Sequence, residues 1–332
     1  MTSKKKLGQF YTTNYEYILK GFCVPEGSTI IEPFVGQGDL IKWLGPEREV
    51  EVYDIDPKIE ALTRDTLSNP PDYKGKFVIT NPPYLAKNKN KDKAIYEKYD
   101  VDDLYKAFLK SLVVGDVEGG IIIIPLNFIS DRDKKIRDIF FQKYNITKMK
   151  IFEEAVFKDT SYTVCALQFA KGKQSNAITA IMSPSGEKID LLLEEEWGWR
   201  VGGHLYEKKK SKYKIGRLVP GQAPSSDLFL YAIDTGSQSG RIRLDIRKDH
   251  FFGKNTDRAF ATITTNLPIR DEHLVVNIFN ERLEECRERY NSLFLTNYRN
   301  STKLYARKRI SFDMCYGMIK EILEELDNSV PA

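Results

Sequence analysis

Cysteine and histidine are scarce in this chain of 332 residues, which has four of the first and three of the second. Cys23, Cys165, Cys286 and Cys315 lie far apart and form no C-x-x-C pair. That excludes a disulfide framework and a clustered zinc site, and it fits a reducing interior. His204, His250 and His273 are equally scattered, so no metal centre is expected. Long apolar runs are missing too. None approaches the ~20 residues of a membrane span. The opening Met1-Thr2-Ser3-Lys4-Lys5-Lys6 has no apolar signal-peptide core. The expectation is a soluble, intracellular protein without a membrane partner. Charge of one sign does not dominate either. The net charge of +4 alone indicates no nucleic acid. Residues 1–170 balance at 25 Lys+Arg against 25 Asp+Glu, and the whole excess lies in the remainder, 26 against 22. There are no internal repeats and no low-complexity segments.

What is present is a 41% hydrophobic chain with alternating patterns in its first half. Thr29-Ile30-Ile31, Val50 to Tyr53, Phe77 to Thr80 and the β-branched run Ile121 to Ile124 read as strands, the last buried on both faces. Lys148 to Phe152 and Tyr162 to Phe169 read as two late strands. Asp39 to Leu44, Leu104 to Val114 and Asp313 to Leu326 have helical spacing. Alternation of strands and helices argues for a mainly parallel sheet. The polar stretch Ala170 to Asn176 marks the expected boundary between a domain of residues 1–172 and a second of residues 173–332.

Two segments carry chemistry. Glu32-Pro33-Phe34-Val35-Gly36-Gln37-Gly38 closes the first strand, where glycines permit a sharp turn and close approach to a ligand. A ligand of such a sheet sits at the carboxyl ends of its strands. Asp54, ending the next strand, suits a pair of ribose hydroxyls. Ile41 stands where a dinucleotide fingerprint needs its third glycine. Glu32 and Asp39 flank the turn and would repel a pyrophosphate but attract a sulfonium and an α-amino group. Asp39 can also be read as a plain helix cap, and Asp56 as a cap of the turn at Pro57.

The second segment is Asn81-Pro82-Pro83-Tyr84, directly after the strand Phe77 to Thr80. A proline-stiffened turn is the bland alternative. The chemical reading is more specific. An aromatic amino group is a poor nucleophile because its lone pair is delocalised. Two fixed acceptors, the Asn81 side-chain oxygen and the Pro82 carbonyl, can hold both N–H groups and localise that lone pair. The prolines preorganise the acceptors. Tyr84 can stack on the base, which must first leave the duplex. Phe157 is a candidate second aromatic wall, or simply a core phenylalanine.

With these residues assembled, the chain resembles the amino-methyltransferases of type II restriction-modification systems, in the gamma-like order of cofactor motif, catalytic motif and recognition domain. The resemblance covers roughly residues 5–170. It implies a Rossmann-like, seven-stranded, mostly parallel sheet with one antiparallel strand, followed by a DNA-recognition domain. It implies S-adenosylmethionine as cofactor, S-adenosylhomocysteine as product, no metal, and adenine N6 in a short duplex DNA site as target. Tyr11, Thr12 and Thr13, within Leu7 to Thr13, are then cofactor residues. So are Glu32, Gly36, Gly38, the ribose-binding Asp54 and the adenine-binding Asp65. Phe157 matches the last motif. Asn81 rather than Ser argues for adenine over cytosine. The resemblance also implies functional pairing with a restriction endonuclease of the same specificity.

Beyond residue 175 the resemblance fades. Lys208 to Arg217 and Tyr290 to Phe312 are basic stretches, the second with no acidic residue. Arg299, Lys303, Arg307, Lys308 and Arg309 are candidate phosphate contacts, or a solvated face. Lys87, Lys89 and Lys91 follow the catalytic motif and are expected to be mobile until DNA binds. Methylation of RNA or of a protein glutamine amide, a fused nuclease, and a non-catalytic DNA-binding module are the competing readings.

Overall fold

The computed structural model describes residues 8–157, 162–254, 256–299 and 307–329. The chain divides into two units, Met1–Trp199 and Arg200–Ala332.

The first unit is mixed α/β, built on a nine-stranded, mostly parallel sheet. Its strands are β1 (Thr29–Glu32), β2 (Val50–Asp54), β3 (Leu62–Thr63), β4 (Lys76–Thr80), β5 (Gly119–Pro125), β6 (Tyr144–Phe152), β7 (Val164–Lys171), β8 (Ala177–Ser183) and β9 (Lys188–Leu192). The order is 3-2-1-4-5-7-6-8-9. Strands β1 to β5 pair in parallel, and β7 runs antiparallel to both β5 and β6. The first seven strands thus have one reversed member, as expected. Two more extend the sheet, which is not seven-stranded. Helices α1 (Tyr15–Leu19), α2 (Asp39–Leu44), α3 (Ala94–Tyr99), α4 (Leu104–Gly115) and α5 (Lys135–Lys143) connect the strands.

The expected boundary at residue 172 is corrected to the step after Trp199. The polar stretch there is a tight connection, not a linker. Gln174 is buried and accepts a hydrogen bond from the Ile146 amide at 2.8 Å. Beyond it Ile178, Ala180 and Met182 are buried at alternate positions, as a strand with one covered face requires. Their strand β8 pairs in parallel with β6.

The core lies around β4 and β5. Every residue of β5 is buried. Gly119 and Gly120 open that strand because its neighbours come very close. A Cβ on Gly120 would lie 2.6 Å from the Val78 carbonyl oxygen and 3.0 Å from the Phe169 ring.

The second unit holds an antiparallel sheet of β10 (Ile215–Arg217), β11 (Leu228–Tyr231), β12 (Arg243–Ile246) and β13 (Phe260–Thr265), in the order 10-13-11-12. Helices α6 (Glu272–Arg289) and α7 (Phe312–Asn328) accompany it, with a separate two-stranded ribbon, β14 (Thr296–Arg299) and β15 (Arg307–Arg309). Asp234 and Arg287, both buried, form an ion pair at 2.9 Å that ties α6 to the end of β11. No described helix is long and apolar enough to cross a membrane.

Gly120→Ala should destabilise the first unit by about 1–3 kcal/mol through overpacking, read as a lower denaturation midpoint. An unchanged midpoint would mean that β5 has room to spare.

Candidate active site

Three strands end side by side in polar residues: β1 in Glu32, β2 in Asp54, and β4 in Thr80, which leads to Asn81. The turn after β1 needs its glycines. Gly36 and Gly38 have φ of +54° and +76°. The Tyr11 ring packs on Gly36, where a Cβ would approach it to 3.1 Å. The Gly36 and Asp56 amides each donate to the Asp54 carboxylate at 2.8 Å. The loops after β1 and β2 are therefore bound to each other through Asp54.

Glu32 is 1% exposed. Its Oε1 accepts from the Thr80 hydroxyl and from the Phe34 amide, while its buried Oε2 has no hydrogen-bond partner. Burial is the main cause that pushes this carboxyl up to about 8, and nearby Asp54 adds to the effect. An orphaned, buried carboxylate oxygen is costly unless a cation or donor meets it.

A cavity of about 260 Å³ opens over these strand ends. Tyr11, Gly36, Asp54, Asp65 and Asn81 line it, as do Phe10 and Arg64. A small recess of about 20 Å³ continues it to Thr12, Glu32 and Asp39. Asp54, Asp65 and Asp92 line the cavity with Arg64, the one cationic side chain among its described lining residues. This charge balance suits a cationic ligand and opposes a pyrophosphate.

Asn81 sits at the edge of both spaces. Its Nδ2 donates to the Phe10 carbonyl at 2.7 Å and to the Thr12 hydroxyl at 3.1 Å. A carbonyl can only accept, so the amide nitrogen must face Phe10. Oδ1 then faces the other way, where the Tyr84 hydroxyl reaches it. That hydroxyl also lies 2.6 Å from the Ile123 carbonyl, on the neighbouring strand. Pro82 is buried and Pro83 lines the cavity. Asp103, the N-cap of α4, accepts from the Leu85 amide at 3.1 Å. This anchors the far side of the catalytic loop.

Several residues read from the sequence stand elsewhere. Thr13 is exposed and belongs with Phe157 to a shallow groove outside the cavity. Gly38 lines neither the cavity nor its recess and caps α2. Asp65 reaches the cavity, yet it also accepts from the Leu67 and Ser68 amides at 3.1 Å. Tyr84 is 3% exposed and does not line the cavity. Phe10 stacks on it with centroids 5.5 Å apart, and lies 6.4 Å from Phe157. The gap between the two expected aromatic walls is therefore filled by a residue the sequence reading did not single out. Arg64, Asn90 and Asp92 were also missed. The only sequence signal for them was proximity to the motifs.

The lysine loop makes several local hydrogen bonds. Residues Lys87–Lys89 form a 3-10 turn, the Lys87 amide donates to the Asp102 carbonyl at 2.7 Å, and Lys93 caps the Lys87 and Asn90 carbonyls. Lys89 lies over the Tyr162 ring, and Lys91 is exposed. Of the basic candidates in the second unit, Lys303 is outside the described residues. Arg299 and Arg307 are placed by backbone only, on the ribbon. Lys308 donates to the Ser292 carbonyl at 3.2 Å, and Arg309 sits opposite Thr296. No group of three or more metal-ligating side chains occurs among the described residues.

Residues 46–157 match the sequence model of the Eco57I restriction-modification methylase family. This match agrees with the resemblance to restriction-modification methyltransferases read from the sequence. No curated protein matches the chain. Among solved structures, the chain is similar to a modification subunit assigned to a type I restriction enzyme of Vibrio vulnificus YJ016 (13% identity, 54% of this chain, 48% of that one, TM-score 0.43). It is similar to a type I restriction-modification methyltransferase subunit of Streptococcus thermophilus (16%, 54%, 48%, 0.40). A third is a protein of Listeria monocytogenes assigned to the class I S-adenosylmethionine-dependent methyltransferases (14%, 52%, 64%, 0.40). The matched region spans about half the length of the first two chains.

Glu32 gives a pH test. Its folded-state pKa of about 8 lies above its ordinary 4.5, so its burial costs nothing in acid. The cost appears as pH rises from about 4.5 through 8. Glu32→Gln should therefore melt higher than the parent at pH 8 and alike at pH 4 in ligand-free protein. A constant difference across that range would refute the assignment.

Proposed function

We propose that this chain transfers a methyl group from S-adenosylmethionine to the exocyclic amino nitrogen of adenine in a short duplex DNA sequence. The observation that carries it is the orientation of Asn81. Its amide protons are engaged by Phe10 and Thr12, and its oxygen accepts from the Tyr84 hydroxyl while keeping a second lone pair for an incoming donor. The match of residues 46–157 to a restriction-modification methylase family supports the same reading.

The residues fit the cofactor. Glu32 with its orphaned oxygen and Asp39 can meet an ammonium, and Asp54 and Asp65 can meet the ribose and adenine. The cofactor supplies an electrophilic methyl group on a sulfonium. The chain supplies position: Asn81 Oδ1 and the Pro82 carbonyl accept from the target amino group and localise its lone pair. No proton need be removed before attack. The target base leaves the duplex and enters between Tyr84 and Phe157. The Phe10 ring fills that gap, so it withdraws as the base arrives.

The second unit is the DNA-recognition domain in this reading. Its ribbon pairs Arg299 with Arg307 across the strands. With Arg309 that ribbon gathers three arginines in sequence, a composition that suits a phosphate backbone. A two-stranded ribbon also fits a major groove. Protection of DNA from a partner endonuclease of the same specificity is the role this activity suits.

Methyl-sensitive sequencing of DNA from cells making the protein should reveal N6-methyladenine in one sequence context. Purified Asn81→Ala should lose at least about a thousandfold in turnover while calorimetry records unchanged S-adenosylmethionine affinity. Labelling of RNA or a glutamine amide instead of DNA, or retained turnover by the variant, would overturn the proposal.

A further inference from the structure

We infer that Thr12 is a positioning residue for Asn81, separate from any contact it makes with a cofactor. The inference rests on the methyltransferase reading above for its kinetics, but its geometry stands alone.

A side-chain amide is nearly symmetric in shape, so its orientation depends on its hydrogen bonds. At residue 81 one end must be an acceptor for the chemistry proposed. The Phe10 carbonyl takes one Nδ2 proton at 2.7 Å. The second proton points at the Thr12 hydroxyl, 3.1 Å away. Nδ2 has no lone pair to offer, so Thr12 Oγ1 is the acceptor here. Thr12 is 4% exposed, so water competes little for that proton.

The consequence is specific. With both protons engaged, no N–H of Asn81 is left to turn toward a substrate amino group, which it would repel. Were the amide reversed, its oxygen would face the Phe10 carbonyl at hydrogen-bond distance, with no proton between them. Phe10 therefore sets which end faces out, and Thr12, together with the Tyr84 hydroxyl on Oδ1, restrains rotation about the Phe10 bond. Phe10 and Thr12 belong to the segment that brings Tyr11 to the Gly36 turn. Assembly of the cavity wall and alignment of the catalytic amide are one event. In this role Thr12 acts through Asn81.

Three variants test this: Thr12→Val, Thr12→Ser, and Thr12→Ala should the valine variant fail to fold. The Asn81 side-chain amide is identified in nitrogen-15 spectra as the signal lost in Asn81→Asp. Its protons should exchange with solvent faster in Thr12→Val than in the parent, and at the parental rate in Thr12→Ser. With DNA as substrate, Thr12→Val should lose about tenfold to a hundredfold in kcat, read at saturating S-adenosylmethionine so that any change in cofactor affinity is separated from it. Thr12→Ser should recover most of that loss. Unaltered amide exchange, or parental kcat in Thr12→Val, overturns the inference. So does a loss of turnover that disappears when S-adenosylmethionine is saturating. A parent protein that methylates no DNA fails the functional reading instead, and the exchange rates then decide the inference by themselves.

Discussion

One carboxamide organises the site. Asn81 follows a buried strand and precedes two prolines, so its backbone has little freedom. Its amide protons go to the N-terminal segment and its oxygen meets Tyr84, whose hydroxyl reaches β5. Three pieces of chain far apart in sequence are thus joined through Asn81 and Tyr84. The loop beyond is held with equal economy. Asp103 is half-buried, desolvation pushes its carboxyl up to about 7, and it still accepts from the Leu85 amide. Both sides of the motif are fixed before any ligand arrives, which is what catalysis by positioning demands.

The same strand ends store an electrostatic cost. Glu32, Asp39 and Asp54 are all buried within the turns after β1 and β2. Asp54 spends its oxygens on two backbone amides. Glu32 spends one on Thr80 and Phe34 and leaves the other bare. A fold optimised for stability alone would not keep that oxygen. A cation placed beside it converts a penalty into binding free energy, so the unpaired atom and the acidic lining have one explanation.

Much of the first unit was legible because its strands are nearly continuous apolar runs, which burial on both faces requires. Ile121 to Ile124 could hardly be anything else. Strand β8 was missed because a flexible-looking stretch precedes it and its alternation rests on Ala180 as much as on Ile178. Helix α6 was missed for a related reason. Its buried positions Val275, Phe279, Leu283 and Arg287 recur every fourth residue, but one of the four is charged and the rest of the helix is strongly polar. In the site, the sequence motifs indicated which residues gather. They could not show that Thr13 turns outward, or that Phe10 lies against Tyr84. Those facts depend on packing between segments some seventy residues apart.

The second unit shows why charge counted along a chain misleads. The run from Lys208 to Arg217 looked like an open basic face. In the fold, Lys209 lies 3.1 Å from both Glu207 and Glu321, and Lys212 lies 2.7 Å from Asp327. Helix α7 thus returns carboxylates to that run. Such exposed pairs contribute little to stability, so a phosphate can replace the carboxylate at small cost. The residue-290 to residue-312 stretch differs, because no acidic residue occurs within it and its strands set arginine against arginine. A basic stretch with no carboxylate of its own is a stronger pointer to a polyanion than a count of lysines. That places the electrostatic interest of this unit in the ribbon rather than in the longer lysine run.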